Sequence, residues 1–121
     1  MSLLEKNEYS NKSIVLFSSV NAMKSFDLPV YSAAKSGLYG FMHSLVRELG
    51  AKNIRINTIT PGTVATQKEI DEKYCNYKYK DMMALNHFTS PEDIANTVFS
   101  LTNISTAITG QNIIVDSGQI S

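Results

Sequence analysis

Apolar and polar residues follow two different periods along the chain. "SIVLF" (13–17) is a short unbroken run of β-prone residues ending at Ser18-Ser19, the pattern of a strand buried on both faces. A polar loop containing Pro29 follows. From Ser32 to Leu49 the period lengthens, with Ala34, Leu38, Phe41, Leu45 and Leu49 recurring at steps of four and three. That spacing predicts a helix with this stripe buried and Gly50 at its C-terminal cap. A second stripe on the helix is small: Ala33, Gly37 and Gly40. Glycine inside a helix costs stability, so two of them predict a neighbouring backbone in close contact there.

"NIRINTIT" (53–60) reads as a second strand, Ile54 and Ile56 alternating with Arg55 and Asn57, and Pro61-Gly62 stops it. Residues 66–87 are polar and rich in Lys and Tyr, with Met82, Met83 and Leu85 near their end, and suggest one or two short helices. "SPEDIANTVFSLT" (90–102) opens with Ser90 as cap, Pro91 in the first turn and Glu92 and Asp93 at the positive end of a helix. Ile94, Val98 and Leu101 give it a buried side. "QNIIVDSG" (111–118) is a last strand. Apolar strands spaced by helices predict an α/β fold, a parallel sheet covered on both faces.

Composition adds exclusions. Eleven basic and eleven acidic residues cancel, leaving no electrostatic case for nucleic acid or an anionic membrane as partner. No apolar run approaches the roughly 20 residues that span a bilayer. Cys75 is the lone cysteine, so there is no internal disulfide framework. The opening "MSLLEKNEYSNK" lacks the basic-then-apolar order of a signal peptide. A cytoplasmic domain is expected.

In such folds ligands bind beyond the carboxyl ends of the strands. Those ends carry Ser18-Ser19, Pro61-Gly62 and Asp116-Ser117-Gly118. Tyr31 and Lys35 open the helix after the first strand and share a helix face. Taken alone, the pair is an exposed helix surface as readily as a site. A phenol, with a reference pKa of about 10, is a poor acid or base near neutrality. A fixed cation beside it favours the phenolate, and Ser19 can hydrogen-bond a substrate carbonyl. The three suit proton transfer to an oxygen whose carbon gains or loses a hydride, and a cofactor has to carry that hydride.

"SIVLFSS", "YSAAKSGLYGFMHSLVREL", "IRINTITPGTVAT", "SPEDIANTVFSL" and "ITGQNIIVDSG", in that order, resemble the second half of the short-chain dehydrogenase/reductase family, from about residue 12 to 118. The resemblance implies part of a Rossmann-like doubly wound parallel sheet. It implies that Tyr31 is the catalytic acid/base, that Ser19 positions the carbonyl, and that Lys35 assists the tyrosine and hydrogen-bonds the nicotinamide ribose. Ser19 is preferred to Ser18 because the second serine of the strand-end pair usually acts in this family. "PGTVAT" would place Pro61, Gly62, the Val64 backbone and the Thr66 hydroxyl around the nicotinamide of NAD or NADP. Residues 66–87 would cover a small carbonyl or alcohol substrate. The Tyr-x-x-x-Lys spacing points to ketoreductases and secondary-alcohol dehydrogenases rather than to enoyl reductases, which commonly space the pair more widely.

The family also begins with a strand and a glycine-rich turn for the cofactor pyrophosphate. The six glycines here, at 37, 40, 50, 62, 110 and 118, make no G-x-G. The Asn-Ala-Gly block and the tetrad asparagine are absent as well. The chain is therefore expected to be a single partial domain over 1–121, the catalytic half, inactive in hydride transfer alone, its first strand exposing an edge. Partners would be the N-terminal half, or further copies through helix 32–49 and strand 112–116. The alternative is a non-catalytic remnant that serves as an oligomerisation module. His43, His87 and Cys75 lack ligand spacing or an activating neighbour, so no metal is expected. Acidic Asp71, Glu72 and Asp81 dilute the Lys/Tyr cluster at 73–80, which suits a solvated lid rather than nucleic acid.

Overall fold

The structure, a computed structural model, describes residues 11–24 and 27–121. The opening stretch read for a signal peptide, residues 1–10, and residues 25–26 of the first loop lie outside them.

Three parallel strands form one sheet in the order β1 (Lys12–Phe17), β2 (Ile54–Pro61), β3 (Asn112–Val115). β1 pairs with β2 from Lys12↔Ile54 to Phe17↔Ile59, and β2 with β3 from Thr58↔Asn112 to Pro61↔Val115. Parallel neighbours need a crossover. Helix α1 (Pro29–Ala51) makes the first; α2 (Gln67–Glu72), α3 (Tyr79–Met82) and α4 (Pro91–Phe99) occupy the second. β3 is shorter than "QNIIVDSG" suggests, because Asp116 turns the chain by accepting from the N–H groups of Gly118 (2.9 Å) and Ile120 (3.0 Å). Pro61 ends β2 rather than following it. Proline at a strand terminus loses no interior ladder bond, and the Gly62 N–H continues the pairing to the Val115 carbonyl at 3.0 Å.

Helix α1 differs from expectation at both ends and in its face. It starts at Pro29, whose missing N–H and fixed φ suit the first turn, so three residues of the expected loop are helical. Gly50 is inside the helix and caps nothing. The left-handed turn comes at Asn53 (φ 58°), a residue type that tolerates it. The sheet-facing edge is displaced by one residue from the Leu/Phe stripe. Met42 is fully buried, the Tyr39 hydroxyl meets Thr60 Oγ1 at 2.7 Å, and Val46 packs on Gly110. Phe41 is 55% exposed and Ala34 is exposed too. The small stripe also faces outward, and a Cβ added at Gly37 or Gly40 would meet nothing within 4 Å among the described residues. The close neighbour those glycines predict is not among the described residues.

β2 is the core, covered on both faces. Thr60 points to α1. Arg55, an odd number of positions away and so on the other face, reaches a π-helical turn at Ser100–Ile104 that continues α4. Its guanidinium donates to the carbonyls of Leu101 (2.5 Å), Thr102 (3.2 Å) and Ser105 (3.2 Å) and to Asn11 Oδ1 (2.5 Å). Asn57, Thr58 and Thr60 are fully buried, which polar side chains accept only when bonded. Asn57 holds the Ile108 carbonyl and the Gln111 N–H, each at 3.0 Å, and both threonines donate to Asn112 Oδ1. A smaller core of Ala65, Met83 and Phe88, flanked by Ile70, Tyr74 and Met82, organises the 66–87 segment, which does form two short helices. α4 starts as expected, with Ser90 capping, Pro91 in its first turn and Leu101 buried beyond its end. Among the described residues no helix is long and apolar enough to cross a membrane.

Candidate active site

Because the strands are parallel, their carboxyl ends share one edge of the sheet. At the end of β1 the chain enters a 3-10 turn, Val20–Ala22, capped by the Ser19 hydroxyl, which accepts from the Asn21 N–H at 3.2 Å. The neighbouring Ser18 is buried (4% exposed) and donates to the Lys35 carbonyl at 3.0 Å. Lys35 returns the tie, its Nζ donating to the Phe17 carbonyl at 3.0 Å. Strand end and first helical turns are thus pinned twice. The pinned ammonium lies 5.8 Å from the centroid of the Tyr31 ring. Tyr31 itself is 44% exposed, and its hydroxyl has no partner among the described residues. Ser19, half-buried, is the more accessible of the two serines.

Beside this, an open cleft of about 480 Å³ lies between the 3-10 turn and the start of α1, lined by Asn21, Met23, Leu28, Pro29 and Ser32 among others.

At the end of β2, Pro61 to Thr66 form a loop. The Thr63 N–H is taken by Gln119 Oε1 at 2.7 Å and the Ala65 N–H by the Thr89 carbonyl at 3.0 Å. Between them the N–H and C=O of Val64 have no hydrogen-bond partner among the described residues. One free donor beside one free acceptor is the complement of a primary carboxamide, so the loop fits a nicotinamide by its donor set. The Thr66 hydroxyl is engaged otherwise: it accepts from the Glu69 N–H at 3.2 Å and donates to Glu69 Oε2 at 2.9 Å, a capping box that starts α2. Only its remaining acceptor capacity faces outward.

Ser19 thus lies at the end of β1, Tyr31 and Lys35 lie on the first turns of α1 with Lys35 tied to that strand end, and Pro61, Gly62, Val64 and Thr66 follow at the end of β2. Sequence reasoning did not anticipate Ser18 as the tie to α1, nor Gln119 as the partner of the loop. Neither carries a local pattern. Cys75 is an exposed free thiol, His87 Nδ1 sits 2.9 Å from the Phe88 carbonyl, and no group of three potential metal ligands occurs among the described residues.

A family model described as enoyl-(acyl carrier protein) reductase matches residues 2–119. The 3-oxoacyl-[acyl-carrier-protein] reductase FabG of Aquifex aeolicus is 38% identical over 90 residues, 73% of this chain and 36% of that protein. Among solved structures, a short-chain dehydrogenase/reductase family oxidoreductase from Burkholderia thailandensis superposes with a TM-score of 0.78 at 34% identity, covering 89% of this chain and 44% of its own. A 3-oxoacyl-[acyl-carrier protein] reductase with bound NAD from Brucella melitensis gives 0.75 at 30% identity, covering 90% and 41%. The chain spans little more than a third of the length of the curated relatives it matches. With the sheet order and these likenesses together, the chain belongs to the short-chain dehydrogenase/reductase family.

Proposed function

We propose that the chain is the proton-transfer half of a nicotinamide-dependent oxidoreductase that interconverts a ketone or aldehyde and an alcohol. The observation that carries the reading is the anchored Lys35 ammonium 5.8 Å from the exposed Tyr31 ring. Bound NAD(H) or NADP(H) would supply or accept the hydride. In reduction the Tyr31 hydroxyl gives its proton to the substrate oxygen as charge develops there. Ser19 Oγ donates a hydrogen bond to the same oxygen, and Lys35 favours the phenolate left behind. In oxidation the same groups run in reverse. Val64 would hold the carboxamide, Pro61 and Gly62 would border the ring, and the spare lone pair of Thr66 would face the amide. The cleft beside the 3-10 turn gives a small substrate its approach, and residues 66–87 cover it.

The carbonyl chemistry named for the Aquifex and Brucella relatives supports this direction over the enoyl reduction in the family model's description. Hydride transfer needs, in addition, a glycine-rich turn for the cofactor diphosphate, which these 121 residues do not contain. Joined to such a half, the protein should reduce ketones with NADH or NADPH, and Tyr31→Phe should lower turnover by about three orders of magnitude or more. Cofactor affinity should stay within about twofold. Unchanged turnover in Tyr31→Phe sinks the assignment, and clear turnover by the 121 residues alone sinks the need for the second half.

A second reading, an assembly module without catalysis, draws on the outward face of α1. Val30 is 83% and Phe41 55% exposed, beside the open Gly37 and Gly40. An apolar face of this kind asks for a cover, either the N-terminal half or another copy. β3, at the other sheet edge, offers a second contact. Sedimentation of wild type against Phe41→Glu decides it: association lost in the variant supports the contact, and equal association discards it.

A further inference from the structure

The segment after β3 folds back onto the loop that follows β2. Gln119 meets Thr63 with both ends of its amide: Oε1 accepts from the Thr63 N–H at 2.7 Å, and Nε2 donates to Thr63 Oγ1 at 3.1 Å. A backbone N–H can only donate, so the amide cannot be flipped without losing the shorter bond. The fit is close. A Cβ added to Gly62 would lie 2.6 Å from Gln119 Oε1 and 2.7 Å from Asp116 Cβ. Asp116, 7% exposed, in turn fixes the turn that presents Gln119 through the N–H groups of Gly118 and Ile120.

We infer that Gln119 is a positioning residue for the ligand loop, and that it sets the orientation of the Val64 peptide groups by clamping the peptide just before them. The inference rests on the nicotinamide reading of Val64. Thr63 is held by Gln119, and Ala65 is held by the Thr89 carbonyl. Val64 is therefore the one residue of the three whose N–H and C=O both point to nothing in the described chain. The parallel bridge of Val64 to Thr89 holds the loop on one side and Gln119 holds the 62–63 peptide on the other. With Thr63 released, that second side is free to turn and carries the Val64 N–H out of line with its C=O. The pair would then cease to match a carboxamide. The same turn also touches the 66–87 segment: the Leu85 N–H donates to the Ser117 carbonyl at 2.9 Å, and Thr89 and Ser117 hydroxyls meet at 3.0 Å. Gln119 thus stands on a base shared by the covering segment and the ligand loop.

The test compares Gln119→Ala with Gln119→Glu. A carboxylate accepts from the Thr63 N–H, and from its hydroxyl, which can donate as well as accept. Amide hydrogen exchange at Thr63, with Ile56 and Ile59 of β2 as controls for the fold, needs no ligand. The alanine variant should exchange about five- to tenfold faster at Thr63 alone, the glutamate variant near the wild-type rate. Titration with reduced nicotinamide mononucleotide, which presents the carboxamide without the second nucleotide, should show a similar loss in affinity for Gln119→Ala and recovery in Gln119→Glu. Equal exchange at Thr63 in all three proteins overturns the inference, as does unchanged affinity in the alanine variant. Exchange that depends on Gln119 in a wild-type protein that binds no mononucleotide overturns the nicotinamide reading and leaves the clamp standing.

Discussion

Lys35 is tied at both of its ends to the strand before it, through its carbonyl to Ser18 and through its ammonium to Phe17. Its charge is therefore placed before any ligand arrives. Tyr31, one turn earlier, has no such tie, and the two side chains should answer differently to substitution. Removing the Tyr31 hydroxyl breaks no bond among the described residues, so Tyr31→Phe should leave thermal stability unchanged while abolishing turnover. A fall in melting temperature would mark the hydroxyl as structural. Both residues were legible in the sequence because a helix converts a spacing of four into adjacency. Ser19 was legible from its place at a strand end. Gln119 was not, since it meets Thr63 across 56 positions and a lone glutamine after a glycine carries no periodic signal. The capture of the Thr66 hydroxyl by Glu69 was readable only in part: Thr-x-x-Glu is a capping box, and a cap competes with a ligand for the same oxygen.

At the scale of elements, both capping boxes leave a titratable signature. The Ser90 N–H and hydroxyl hold the Asp93 carboxyl below its ordinary range, and the Thr66 N–H and hydroxyl do the same for Glu69. A depressed pKa means that the folded state binds the proton less readily than the unfolded chain. The contribution is complete above about pH 5 and is lost as pH falls through the depressed folded values. Ser90→Ala should cost about 1 kcal/mol at neutral pH, and its difference from wild type should shrink below pH 4. A constant difference down to pH 2 would disconnect the cap from Asp93. Helix α1 shows where hydrophobicity misleads. Phe41 is the larger apolar residue, yet the sheet receives Met42 and the phenol of Tyr39, whose hydroxyl finds Thr60. Met42→Ala should cost ~2–5 kcal/mol in urea unfolding, and Phe41→Ala under about 1 kcal/mol. The reverse order would restore the stripe read from the sequence.

Across the whole molecule, a parallel sheet with helical layers was readable because apolar runs alternating with helical periods permit few topologies. The means by which the second crossover is locked were not. Arg55, placed by sequence on the polar side of a strand, closes the far layer by capping the carbonyls at the end of α4's π turn. One planar fork reaches these acceptors in fixed directions, and lysine's single ammonium on a flexible stem does not reproduce that geometry. Arg55→Lys should therefore cost ~2–3 kcal/mol and speed amide exchange through residues 100–108 ahead of the rest of the chain. Uniform acceleration, or none, would deny Arg55 that role. The burial of Asn57, Thr58 and Thr60 follows the same logic of distant acceptors. These side chains are polar, and hydrogen bonds to residues 108–112 offset the cost of burying them.

The Gln119–Thr63 clamp also has a consequence for how the protein is made. Thr63 leaves the ribosome 56 positions ahead of the side chain that fixes it. At about 5–20 residues per second, that is a delay of roughly 3–11 s. β1, α1 and β2 can pair in that interval, because their contacts lie within residues already synthesised. The bridge of Val64 to Thr89 comes next, and the Gln119–Thr63 clamp is the last of these ties to form.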